Sequence, residues 1–171
     1  MRDRPGGRTE TGTTTLGMYA GTSPSITAIK ASGLADNFSV AFTDNQSQLY
    51  LAYFGYGASE SGMQLENIKE PIASGTSPSL MQTTDETGAN TNEVSVYKGN
   101  SGNLCAWNDV NADQSCFGQP VDGSPAVSFD QGTYWAAFES ASSGNFRGVN
   151  TATGSEFEQP MYNGTNAAMS S

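Results

Sequence analysis

Gly21-Thr22-Ser23-Pro24-Ser25-Ile26 returns as Gly75-Thr76-Ser77-Pro78-Ser79-Leu80 and again, shortened, as Gly123-Ser124-Pro125-Ala126-Val127. A fainter copy closes the chain at Tyr162-Asn163-Gly164-Thr165-Asn166-Ala167-Ala168-Met169, echoing Tyr19 to Ile26. With Ser23, Ser77, Ser124 and Asn166 as equivalent positions, the spacings are 54, 47 and 42 residues. Repeats of about 40 to 50 residues suit β-propeller blades of four strands, whereas helical repeats of that length need amphipathic helices with a 3.6-residue period, and the sequence carries none.

The order inside each unit repeats as well. After each Ser-Pro phrase, where proline sits at a strand entrance and its missing N–H harms no ladder, come two apolar runs around a polar turn. They are Phe38–Phe42 and Gln48–Phe54 around Thr43–Ser47, then Glu93–Tyr97 and Asn103–Trp107 around Lys98–Gly102, then Tyr134–Phe138 and Asn145–Val149 around Ser140–Gly144. Aromatic and β-branched residues in short alternating runs bounded by Gly, Asn and Ser are strand and hairpin signals. Phe42 to Leu49, Tyr97 to Leu104 and Phe138 to Phe146 differ by 7, 7 and 8 residues. In that alignment Tyr50, Cys105 and Arg147 share one slot, and Ala52, Trp107 and Val149 share another.

The predicted fold is therefore all-β and propeller-like: about three four-stranded blades of 42–54 residues at about 18–71, 72–119 and 120–165, within one domain over 16–171. Residues 1–15 read as a disordered tail. Three blades are too few for a ring, since propellers use about four to eight. A homo-oligomer, a tighter three-sheet prism or a longer parent chain would each complete it.

Composition narrows the function. Seventeen acidic against seven basic residues give a net charge of -10, and Arg2, Arg4 and Arg8 lie in the tail, so the body is more acidic still. Such a surface neither neutralises phosphates nor releases their counterions, which argues against nucleic acid and anionic membrane partners. No run approaches the roughly 20 apolar residues of a membrane-spanning helix. With no histidine in the sequence, Ser-His-Asp, Cys-His and histidine-metal chemistry are excluded.

Cys105 and Cys116 flank the turn-rich Asn108–Asp113, and a hairpin there sets them opposite each other. The alternatives are a disulfide, which fits an oxidising, extracellular or particle-surface location, and two buried free thiols. No cofactor is expected. Asp109–Ser115 has the alternating oxygen donors of a calcium loop, yet Gln114 stands where an EF-hand needs glycine and Pro120 where it needs glutamate, so a polar hairpin turn is the competing reading.

The pattern of Ser-Pro, a strand ending in Phe or Tyr, a Gly/Asn turn and an aromatic third strand resembles the blades of bacterial and fungal propeller lectins and of sialidase-like propellers, over about residues 18 to 170. Ser128-Phe129-Asp130-Gln131-Gly132-Thr133-Tyr134-Trp135 is similar to the Asp-box of the latter. There the box lies between the third and fourth strands; here it falls between the first and second, in one unit only. In either position it is a fold brace. A sialidase also needs an arginine cluster, and past the tail the chain has Arg147 alone.

The resemblance implies glycan binding in clefts between neighbouring units, on aromatic platforms with polar groups alongside. Tyr50, Tyr53, Trp107, Trp135, Glu139 and Arg147 are the predicted ligand-binding residues, with Trp107, Glu139 and Arg147 the narrowest set; Tyr56 and Tyr134 are further aromatic candidates. Packing between units is the competing role for the aromatics. The expected function is a non-catalytic carbohydrate-binding module. A structural or adhesive assembly protein is the alternative. A glycosidase fragment, drawing two carboxylates from Asp44, Glu66, Glu70, Glu139, Glu156 and Glu158, is the third reading. Asn37, Asn45 and Asn163 head N-glycosylation sequons, relevant in a eukaryotic secretory route.

Overall fold

The computed structural model describes residues 8–10, 16–29, 37–54, 63–84, 91–109 and 112–161. Among them the fold is all-β, with twelve strands: β1 Arg8–Glu10, β2 Ser25–Ile29, β3 Asn37–Thr43, β4 Gln48–Phe54, β5 Met63–Pro71, β6 Ser79–Thr84, β7 Thr91–Lys98, β8 Asn103–Asn108, β9 Asp113–Asp130, β10 Thr133–Ser140, β11 Phe146–Asn150 and β12 Glu156–Gln159. The six runs read from the sequence fall on β3, β4, β7, β8, β10 and β11. Residues 8–10, inside the expected disordered tail, pair as β1 on the edge strand β5. Tyr56 and the fourth copy of the phrase, 162–169, lie outside the described residues.

All pairings are antiparallel and make two sheets, β1-β5-β4-β3-β2 and β12-β11-β10-β9-β8-β7-β6. The sequence predicted three separate four-stranded units, and this is corrected: the second and third are one hydrogen-bonded sheet. The reason is the 18-residue β9. It pairs with β8 from Asp113 to Pro120 and with β10 from Val121 to Asp130, so the handover falls at the predicted boundary near residue 120 without a loop. Between the first two units the chain instead leaves β5, crosses 72–78 and enters β6. That connector contains the repeated glycine. Gly75 has φ +77° and Gly21 φ +83°, each third in a turn closed by a threonine N–H onto the carbonyl of Ala73 or Tyr19. Positive φ at that position is a type II turn, which glycine adopts without strain.

The repeated serines join the units. Ser23 N–H donates to Ser77 Oγ (2.8 Å) and Ser77 N–H to Ser124 Oγ (2.9 Å). Leu80 N–H donates to Ser25 Oγ (2.9 Å) and Val127 N–H to Ser79 Oγ (3.1 Å). The first strands of successive units lie side by side without a backbone ladder between them, and these hydroxyls join them.

Two cores lie between the units. Ala41, Leu49, Leu51 and Tyr53 of the first pack on Leu80, Tyr97, Cys105 and Trp107 of the second. Val94, Val96, Leu104 and Ala106 of the second pack on Val127, Tyr134, Ala136, Phe138 and Val149 of the third. The middle unit is thus buried on both faces, and Leu104-Cys105-Ala106-Trp107 are buried without alternation, as expected of a strand covered on both sides.

Ser79→Ala should leave the partly buried Val127 N–H without its acceptor and lower stability by about 1 kcal/mol, measured by urea unfolding. An unchanged midpoint would mean that the hydroxyl rung contributes nothing to holding the units together.

Candidate functional site

One cross-strand slot recurs in all three units, filled by a different bond each time. Pairing in register sets Tyr50 opposite Asn67, Cys105 opposite Cys116 and Arg147 opposite Glu158. In the first unit Asn67 Nδ2 donates to Tyr50 Oη (2.9 Å). In the second the cysteines form a disulfide, their Cα atoms 4.1 Å apart, which resolves the alternatives left by the sequence. Gly99 lies against this bond: a Cβ there would stand 2.8 Å from Cys105 Sγ. In the third, Arg147 Nε and Nη2 donate to Glu158 Oε2 at 3.0 and 2.9 Å.

The third slot is the one with chemistry to offer. Arg147 lies on the β11 face turned toward the second unit, and its Nη1 reaches across to Gln119 Oε1 on β9. Glu156 Oε2 is 3.6 Å from the same nitrogen. Phe117, two residues before Gln119 and on the same face of β9, packs partly buried against the inter-unit core. The result is a polar cleft at the boundary between two units. Gln119 stands on the second unit's side and Arg147, Glu156 and Glu158 on the third's.

Glu158 is held from three sides. Besides Arg147, its Oε1 accepts from Ser143 Oγ (2.6 Å) and Asn145 Nδ2 (2.8 Å). These hydrogen bonds, with the guanidinium charge, bring its carboxyl down to about 2 against some desolvation. A carboxylate so held cannot act as a general acid near neutral pH. With two carboxylates around one guanidinium the cleft carries net negative charge.

The equivalent boundary between the first and second units is closed more tightly. Glu70 precedes Pro71 as Gln119 precedes Pro120, and the two prolines pair with Gln48 and Asn103 at matching ends of their hairpins. There Gln114 Nε2 donates to the buried Tyr97 Oη (2.7 Å). Burial raises the Tyr97 phenol well above its usual range, with the nearby Glu70 charge adding to it, and desolvation also raises Glu70. Tyr134, whose hydroxyl donates to Asn92 O (2.8 Å) and lies 2.8 Å from Thr83 Oγ1, is pushed up to about 12, mainly by burial.

The six residues predicted to bind ligand are not brought together. Tyr53 and Trp107 are 3% and 6% exposed in the first core and pack units against each other, because both fall on faces that meet another sheet. Tyr50 lies on the outer face of the first unit, where it stacks on Phe42 with ring centroids 5.6 Å apart. Trp135 lies on the outer face of the third, its ring 5.9 Å from that of Phe157. Glu139, opposite Phe146 on β10, shares that outer face. Arg147 alone stands in a cleft between units. Of its partners, the sequence marks Glu156 and Glu158 only as candidate carboxylates of a glycosidase and does not single out Gln119; the signal that reaches Glu158 is the slot alignment, which pairs Arg147 with the strand after the last hairpin.

The stretch resembling an Asp-box turns between β9 and β10, with Gln131 and Gly132 at φ +48° and +82°, so it joins the first two strands of its unit, as the sequence placed it. Asp109 Oδ1, in the calcium-loop candidate, accepts from Glu93 N–H (2.9 Å), and residues 110–111 lie outside the described residues. A further open depression of about 430 Å³ is lined by the three Ser-Pro phrases, Ser23 to Ser25, Ser77 to Ser79 and Gly123 to Pro125. No protein-family model matches the chain, and no curated protein is similar to it in sequence.

Two measurements check this slot. Because folding lowers the Glu158 pKa, the stability it contributes is fully present above its ordinary value of 4.5 and is lost as the pH falls toward about 2. Carboxyl-carbon NMR should show Glu158 titrating near the lower value, and Glu158→Gln should flatten the acid limb of stability between the two; titration near 4.5 would contradict the geometry. Replacing Cys105 and Cys116 together by alanine should cost about 2–3 kcal/mol for a loop of this length, read from the denaturation midpoint.

Proposed function

We propose that the three repeats are blades of a propeller, the second and third sharing β9, and that the chain is a non-catalytic carbohydrate-binding module with Arg147 at the centre of its site. The repeat phrase, the serine rungs and the packing of each unit on the next support the blade reading. The observation that carries the sugar reading is the inter-unit cleft. A guanidinium is fixed there by hydrogen bonds to Glu158 and Gln119 with Glu156 alongside, all partly open to solvent. Sugar hydroxyls need donors and acceptors held in place in advance, since ordering flexible side chains on binding costs affinity. The net negative charge of this cleft and of the whole body favours neutral glycans over sialylated or uronic ones. Secretion or display on a surface, where glycans are met and disulfides persist, fits the bonded cysteines.

The assembly reading is favoured by a different observation: apolar side chains, Ile26 and Phe157 foremost, stand open on the outer faces of the first and third units.

A glycan array probed with the native protein should show binding to neutral glycans, weakened at least tenfold by Arg147→Ala and also by Glu156→Gln. The second substitution keeps size and leaves the Arg147–Glu158 pair intact, so an unchanged circular dichroism spectrum with lost binding points to the cleft rather than to misfolding. Absence of binding to any glycan, or binding that survives both substitutions, would overturn the assignment.

A further inference from the structure

The same position of the repeat has two fates. Leu80 and Val127 follow Ser79 and Ala126 in the second and third units and are 5% and 7% exposed; Ile26, their equivalent in the first, is 66% exposed. Leu80 is covered by the first unit and Val127 by the second. Ile26 differs in that, among the described residues, no unit of this chain packs on it. Its face continues the pattern: Phe38 stacks on Phe54 at 4.4 Å between ring centroids and Phe42 on Tyr50 at 5.6 Å, and Phe42 occupies the place of the fully buried Tyr97 and Phe138.

The third unit shows the opposite half of the same contact. Leu49 and Leu104, buried toward the following unit, correspond to Phe146, and Leu51 and Ala106 to Gly148. Phe146 is only partly buried, and Phe157 lies 44% exposed across Gly148. A Cβ on Gly148 would overlap the Phe157 ring, so the missing side chain lets that ring lie flat on the strand. Trp135 and Phe146 flank it at 5.9 and 5.7 Å. One chain therefore carries both complementary halves of a contact it already makes twice internally: a backward face centred on Ile26 and a forward face centred on Phe157.

We infer that a second copy of this chain covers both faces. The forward face of each copy's third unit meets the backward face of the other's first unit, closing a two-fold ring of six units. Six lies within the range in which propellers close, about four to eight, and two identical head-to-tail contacts related by a two-fold axis leave no face over for open growth. The serine series continues across the contact. Ser23 N–H to Ser77 Oγ and Ser77 N–H to Ser124 Oγ would be followed by Ser124 N–H of one copy to Ser23 Oγ of the other. The second kind of rung is missing there, because Ala126 stands where Ser25 and Ser79 supply hydroxyls. Ring closure also creates a new inter-unit boundary. This inference rests on the blade reading and is independent of the sugar reading.

Light scattering behind a sizing column should give the wild-type protein twice the chain mass of 17.9 kDa. Ile26→Asp should give the single chain mass with an unchanged circular dichroism spectrum, since so exposed a side chain buries little within its own chain. In the double variant Ser23→Cys with Ser124→Cys, oxidation should yield a covalent dimer and stop there. A wild-type monomer at millimolar concentration overturns the second copy while leaving the blades in place. A dimer indifferent to Ile26→Asp overturns it by placing the contact elsewhere. A ladder of larger covalent products overturns the two-fold ring in favour of an open chain. A disulfide joining the two introduced cysteines within one chain overturns the blade reading itself, because it brings the first and third units together as a closed prism.

Discussion

The hydroxyl of a repeated serine, accepting a backbone N–H from the neighbouring unit, is the constraint on which the rest of the molecule depends. Each sheet satisfies its own backbone groups internally, but the first strand of every unit has an edge that no regular ladder reaches. An unmet N–H in a partly buried position is costly. Serine at Ser25, Ser77, Ser79 and Ser124 answers that need with one atom, and proline at 24, 78 and 125 removes a donor from the same edge altogether. With these strands tied to one another, the space between the units is filled by the two apolar cores. The recurrence of the phrase in the sequence and the spacing of the sheets in space have the same cause.

That cause also explains how far the sequence could be read. The six strands around the polar turns were legible because each alternates on a half-buried surface or runs apolar between two covered ones. The middle unit is the clearest case, with Val94, Val96, Leu104 and Ala106 turned one way and Ser95, Tyr97, Cys105 and Trp107 the other. What the pattern concealed was which aromatics are wall and which are surface. Tyr53 and Trp107 have the composition of a sugar platform, yet their faces meet another unit, and a face's neighbour depends on how the units pack rather than on local alternation. The break expected between the second and third units was likewise hidden: Gly123 and Pro125 look like a turn, but Gly123 at φ +68° is absorbed as an irregularity inside β9. Arg147 was legible as the one arginine of the body and Glu158 as one acidic candidate among six, whereas their partnership, and the part of Gln119 in it, became visible only in the structure.

The slot occupied by Tyr50–Asn67, Cys105–Cys116 and Arg147–Glu158 shows how loosely a repeat architecture binds its chemistry. A cross-strand pair near the hairpin end needs to be bridged, and a neutral hydrogen bond, a covalent bond and an ion pair each do it. The three differ in what loosens them: reductant acts on the second, and acid and salt on the third. The middle unit, buried on both faces and covalently closed, carries the bridge that solution conditions short of reduction leave untouched, while the third carries the bridge most responsive to pH and salt. The cleft around Arg147 is a by-product of that arrangement, since of the three bridges only this one is charged.

The unbroken course of β9 has a consequence for how the chain finds its register. Side chains alternate along a strand, so a slip of one residue turns every one of them to the wrong face. Where a loop separates two sheets, as at 72–78, an error in one sheet can be absorbed before the next begins. Along Asp113–Asp130 any adjustment has to fall inside the strand itself, at the irregularities between Cys116 and Pro120 and between Asp122 and Ala126. The second and third units therefore share one strand and the problem of aligning it, whereas the connector at 72–78 keeps the register of the first separate from theirs.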